Sequence, residues 1–148
     1  MKTTVHYFEE VELGDEVPAL ERRATPEAVR LFVEIARRKN VKLFTESEAA
    51  RKVGSSKPIV PGDLVMAYIA QALQKWAPEA TIEVLDVIFR QPMSQMEPLH
   101  AGGLVTDLGD PSDGRVTCDV FVIGEQGDRL VLGTAQLTMP SKESAPNP

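Results

Sequence analysis

The sequence predicts an α+β domain in which an antiparallel sheet wraps around one long buried helix. Two observations carry that expectation. Residues 64–74 hold no charged side chain inside a stretch of helical character, and a helix apolar nearly all round is buried nearly all round. From residue 81 onward, four runs rich in β-branched residues are separated by turn signals, the pattern of consecutive strands. The 148 residues, 43% apolar and 26% charged, suit one globular domain with its own core. Residues 1–140 are read as that domain. The last eight, 141–148, contain Ser, Lys, Glu, Asn and two prolines and are read as a disordered tail.

Taken in order, residues 7–14 form an arm that ends in a turn at Gly14-Asp15, followed by a short strand from Val17 to Arg23. Thr25-Pro26-Glu27 starts a helix, with Thr25 as N-cap and Pro26 at the first helical position. Ala28, Val29, Leu31, Phe32, Ile35 and Ala36 mark its apolar face, and the helix fades at Lys39-Asn40. A second short helix is expected at 46–53, capped by Thr45 or Ser47 and followed by Gly54. Pro61-Gly62-Asp63 then opens the long helix, which ends at Trp76-Ala77-Pro78. Ala67, Ala70 and Ala72 on that helix allow other elements to approach closely. The strands are Thr81–Gln91, Leu99–Leu108, Val116–Ile123 and Leu130–Met139, the last two a hairpin. In the first of them Ile82, Val84 and Ile88 oppose Leu85, Val87 and Phe89. Gly102-Gly103 points to a bulge or a close backbone approach. A sheet of this kind closed around a helix of this kind is the hot-dog fold.

Charge and cysteine content narrow the functions. A net charge of −6 and a pI near 5.0 argue against nucleic-acid binding, which needs a basic surface. The single cysteine, Cys118, excludes an internal disulfide and a thiolate metal cluster. No apolar run is long enough to span a bilayer and no signal-peptide pattern opens the sequence, so the expected address is cytoplasmic. One basic cluster stands out, Arg37, Arg38, Lys39 and Lys42.

Several stretches resemble the MaoC-like (R)-specific enoyl-thioester hydratases and dehydratases over residues 7–139. Tyr7-Phe8-Glu9-Glu10-Val11-Glu12-Leu13-Gly14-Asp15 resembles the family's entry into its first strand, and Thr25-Pro26-Glu27-Ala28-Val29 with Phe32 its first helix. Ala50-Arg51-Lys52-Val53-Gly54 and Pro58-Ile59-Val60-Pro61-Gly62 resemble the approach to its central helix. Val87-Ile88-Phe89-Arg90-Gln91-Pro92-Met93 is similar to its Arg-Phe-x-x-Pro-Val strand, with Ile88 where arginine is usual. The family's catalytic motif reads Gly-Asp-x-Asn-Pro-(aliphatic)-His. Its aspartate and histidine activate a water and deliver its proton across the double bond of an enoyl thioester.

Counting back from Ala50 and Gly54 puts Phe44 at the histidine position and Lys39 at the aspartate position. A shift of one residue gives Leu43 and Arg38 instead. Pro61 also stands where a histidine often precedes the glycine. Neither Phe44 nor Leu43 can move a proton, and a cation in place of the aspartate reverses the local charge. The resemblance therefore implies a thioester-binding architecture without the usual acid–base pair, in a family of lyases. It implies no cofactor, with coenzyme A or phosphopantetheine entering only as part of the substrate.

The remaining candidates are weighed against blander roles. His6 and His100 are the only histidines; His100, at a strand start near an apparent bulge, is the better relocated acid–base. Cys118 alternates with Val116, Val120 and Val122, as a core residue does. Asp63 could serve as a thioesterase base, but a first-turn aspartate is explained by the helix dipole alone. Glu46 and Glu48 read as first-turn residues of the short helix. Gly62 offers a backbone N–H to a thioester oxygen, and Arg38, Lys39 and Arg90 offer charge to phosphates. Met66, Met93 and Met96 could line an acyl pocket. The reading is a non-catalytic or degenerate hydratase relative, paired with a copy of itself or with another hot-dog subunit carrying the intact dyad. The alternatives are an active hydratase or thioesterase with a non-standard site, and a non-enzymatic acyl-binding homodimer.

Overall fold

The computed structural model describes residues 3–36 and 42–144. In chain order they form β1 (Glu16–Arg22), α1 (Pro26–Ile35), α2 (Lys42–Thr45), α3 (Ser47–Arg51), α4 (Gly62–Trp76), β2 (Thr81–Phe89), β3 (Leu99–Leu108), β4 (Arg115–Ile123) and β5 (Arg129–Thr138). Single 3-10 turns at Phe8–Glu10 and Lys142–Ser144 flank them.

The long helix organises the rest. Val65, Tyr68, Ile69, Ala72, Leu73 and Trp76 recur at three- and four-residue spacing and are buried, one stripe facing the sheet. Burial is one-sided, contrary to the all-round expectation. Asp63, Gln71, Gln74 and Lys75 are exposed, and Met66, Ala67 and Ala70 are half-buried. A single sheet covers a single side, so an uncharged flank stays partly open. Each fully buried aliphatic or aromatic residue of the stripe contributes roughly 1.5–3 kcal/mol through burial.

The sheet is five-stranded with order β1-β3-β4-β5-β2, every neighbouring pair antiparallel. Its inner face is lined by Val116, Cys118, Val120 and Val122 from β4 and by Val131, Ala135 and Leu137 from β5. β2 does not neighbour β3, the strand that follows it. It lies at the far edge against β5, and residues 90–98 carry the chain across the end of the sheet. The register shift between Ile82 and Val84 is a bulge that turns Ile82 inward beside Leu85 and Val87. The simple alternation placed Ile82 with Val84 and Ile88, which remain exposed. At Gly103 a Cβ would lie 2.7 Å from the Asp119 carbonyl oxygen, so the glycine pair marks a close approach of β3 to β4. The register shift of β1 against β3, between Val17 and Leu20, falls beside it.

Local signals explain the helices before α4. Thr25 Oγ1 accepts from the Ala28 N–H at 3.1 Å, with Pro26 next, as a capped start requires. The buried face of α1 is narrower than its apolar residues suggest. Val29 and Val33 are buried, whereas Ala28, Leu31 and Ile35 face solvent. The helix ends at Ile35; Lys39-Asn40, its expected fading point, lies outside the described residues. α3 begins at Ser47 with Glu46 as a cap that makes no side-chain bond, so neither Thr45 nor Ser47 is the cap. Gly54 takes φ +91° just beyond it, as a helix-ending glycine does.

The two ends of the chain meet. Phe8 donates its N–H to Pro140 O at 2.9 Å. The Glu9 carboxylate accepts from Ser141 Oγ and, at 3.1 Å, from the Lys142 N–H. Ser141 is buried, so the tail is anchored through 144, while 145–148 lie outside the described residues. The Ser141 hydroxyl and then the Lys142 amide hold the Glu9 carboxyl below the usual carboxylate range. A depressed pKa stabilises the clasp above the ordinary carboxylate value and releases it as pH falls through the lowered one. Protection of the 141–144 amides, measured against their unstructured exchange rates, should therefore fall on acidification below that value, and Glu9→Gln should show the lower protection already at neutral pH.

Candidate functional site

Three segments converge where α4 begins. Residues 58–60 and 93–95 pair in a short antiparallel bridge, with Ile59 opposite Ser94. The Val60 N–H reaches Met93 O at 2.7 Å and the Gln95 N–H reaches Pro58 O at 3.1 Å. The Gln95 side chain is buried. Its Nε2 donates to Phe44 O at 2.7 Å and to Ile59 O at 3.0 Å. One amide thus ties the segment carrying Phe44 to the bridge beneath it. Met96 follows with φ 71°, a left-handed conformation uncommon outside glycine, and donates its N–H to Ala24 O at 2.9 Å.

The helix start is simple. Pro61 is the N-cap and has no side-chain cap to give; its carbonyl accepts from Leu64 and Val65 at 3.1 and 3.2 Å. Among the described residues nothing takes up the Gly62 N–H. The Phe89 ring, at the end of β2, lies directly over Gly62. A Cβ there would stand 2.9 Å from Cζ of the ring, which makes glycine the residue that fits.

Around this point lies a cavity of about 420 Å³ lined by Phe44, Val53, Ile59, Val60, Gly62, Phe89, Arg90, Gln91, Pro92 and Met93, a size ordinary for a small-ligand site. Phe44, Val60 and Met93 form its buried wall. Among the described residues of the lining, Arg90 is the only ionisable side chain. It is exposed and enters no ion pair among the described residues. A guanidinium stays charged and accepts no proton from water. The described lining therefore supplies apolar surface, backbone donors and one cation, but no general base.

The candidates from the sequence distribute unevenly. Phe44, Gly62, Arg90 and Met93 come together in the lining, and Pro61 is buried beside them. Asp63 stands exposed in the first turn of α4 and Lys42 exposed in α2. Glu46 is the exposed cap of α3. Met66 and Met96 do not line the cavity. His100 Nε2 lies 3.7 Å from Glu21 Oε1, its register partner across β1 and β3, and His6 lies 2.8 Å from Glu79; neither is in the lining. Cys118 is buried, and burial with the Asp119 charge pushes its thiol up to about 12. Arg37, Arg38 and Lys39 lie outside the described residues, as do the side chains of Leu43 and Glu48.

Comparisons with known proteins address the architecture. A scan against protein-family models and a search of curated proteins each return no match. Solved structures do match. The (R)-hydratase from A. caviae involved in PHA biosynthesis superposes with TM-score 0.80 at 20% identity, over 89% of this chain and 99% of that one. This is the hot-dog fold. A MaoC-like dehydratase from Rhodospirillum rubrum gives TM-score 0.74 at 18% identity, covering 92% of this chain and 97% of its own. A chain of the ChsH1–ChsH2 complex from Mycobacterium tuberculosis gives 0.75 at 20%, covering 87% and 98%. The expected antiparallel sheet around a central helix is thus the observed hot-dog domain, and its structural neighbours are MaoC-like dehydratases and (R)-hydratases. Among the described residues no helix is long and apolar enough to cross a membrane.

Neither the tie made by Gln95 nor the cover of Phe89 over Gly62 was legible from residue pattern or spacing. Gln95→Leu removes both side-chain N–H donors from a buried position, a loss of about 2 kcal/mol in urea unfolding.

Proposed function

We propose that this chain binds an acyl thioester in the cavity beside Gly62 and is itself a non-catalytic member of a paired hydratase or dehydratase. One observation carries the reading: a preformed apolar cavity at the start of the central helix whose described lining holds no proton-transfer group. Addition of water to an enoyl thioester needs a base to activate the water and an acid to protonate the α-carbon. Phe44, at the position the family gives its histidine, supplies only surface. What remains is recognition. The acyl chain lies against Phe44, Ile59, Val60 and Met93, the thioester oxygen meets the Gly62 N–H, and Arg90 faces the anionic end of the carrier.

Pairing follows from the sheet edges. β1 carries Pro18, Glu16 and Glu21, and a proline and charges blunt an edge against further pairing. β2 carries Glu83 and Asp86 but no proline, and it exposes Val84 and Ile88, so β2 is the edge that keeps every backbone donor for a second hot-dog chain to extend. Phe89 and Arg90 end that same strand, so the partner would also close the cavity's open side. The ChsH1–ChsH2 structure is a complex of two named chains, which supports a heteromeric arrangement here.

The purified chain alone should not hydrate crotonyl-CoA. Activity should appear when a chain encoded beside it, carrying an intact Asp–His pair, is co-expressed. Rapid turnover by the single chain would overturn the non-catalytic reading. Ile88→Lys places a charge on the bare edge and should shift the chain to monomer in light scattering while leaving its circular dichroism unchanged.

A further inference from the structure

We infer that the thioester reaches this chain on a carrier protein with an acidic face, not as free coenzyme A; the inference rests on the thioester reading above. The chain's charge is unevenly divided. Residues 37–57 hold seven Lys and Arg against two Glu, a local net of +5 in a chain of −6, which leaves −11 on everything else. An acidic chain repels an acidic partner except where such a run is presented. The same run enters the cavity, since Phe44 and Val53 belong to the lining.

The described cations flank the cavity on separate segments. Lys42 lies in α2, two residues before Phe44. Arg51 and Lys52 end α3 just before Val53, and Arg90 follows β2 and is itself in the lining. All four are exposed, and none enters an ion pair among the described residues. Lys57 differs, held 3.7 Å from Glu97. The exposed acids next to lining segments, Glu46 and Asp63, are outnumbered.

This spread favours one source of the phosphopantetheine arm over the other. Coenzyme A continues from the arm into a single nucleotide, whose phosphates can engage one of these segments. A carrier protein continues into a folded surface, wide enough to face α2, α3 and the end of β2 together while the arm enters between them. Charges arranged in this way steer the encounter and lose their effect in salt.

The test presents one ligand in two forms to the full chain. The ligand is a butyryl thioether analogue that keeps the carbonyl, carried either by coenzyme A or by the phosphopantetheine arm of an acidic acyl carrier protein. At low salt the carrier-protein form should bind about tenfold more tightly, and the advantage should vanish at high salt. Arg51→Glu combined with Lys52→Glu should weaken the carrier-protein form by about tenfold and leave the coenzyme A form unchanged. Lys42→Glu, on a separate segment, should act in the same direction and carries the test if the double variant does not fold. Equal binding of the two forms, or carrier-protein binding that neither variant weakens, overturns the inference and leaves the thioester reading standing. No binding of either form overturns both.

Discussion

A fifteen-residue helix with no charge through its middle constrains everything around it. Six of its side chains must leave water together, and only a curved sheet presents enough apolar surface on one side to receive them. That requirement explains why β4 and β5 carry buried valines and leucines at alternate positions, and why β2 bulges to return Ile82 to the inner face. It also fixes where ligand chemistry can occur. The helix needs a first turn, the first turn leaves a backbone donor unpaired, and the sheet's end leaves a hollow beside it.

The hollow owes its shape to a small number of polar ties. Gln95 joins the Phe44 segment to the Ile59 strand, while the bridge between 58–60 and 93–95 holds Met93 under both. These bonds join segments far apart in the chain, so breaking one loosens the wall that they hold together. The cavity wall is thereby stiff. Arg90 is the one charge in the described lining, and it directly follows the edge strand β2.

Much of the fold was legible in the sequence because its signals are local. Thr25-Pro26, Gly54, the uncharged run after Gly62 and the β-branched strands each state their structure within a few residues. The errors occurred where a partner element decides. The apolar residues of α1 record what could be covered, but only Val29 and Val33 are buried; Leu31 and Ile35 are exposed. The alternation of β2 broke at a bulge that depends on β5, and its place at the far edge depends on the whole sheet. In the site, Phe44, Gly62 and Arg90 were reachable through spacing and family resemblance. Gln95 was not, since its partners lie 51 and 36 residues away in a segment without periodicity. Phe89 read as one more aromatic on a strand face, and only the close contact with Gly62 gives it a distinct place.

The bare edge of β2 has a consequence for the cell that makes the protein. An edge strand with one side open and Val84 and Ile88 outward adheres to whatever extended chain it meets. If the proposed partner is a different subunit, copies made in excess have no correct mate and drift toward self-association. Matched synthesis of the two chains would then be a condition of solubility, set by a single strand without a proline.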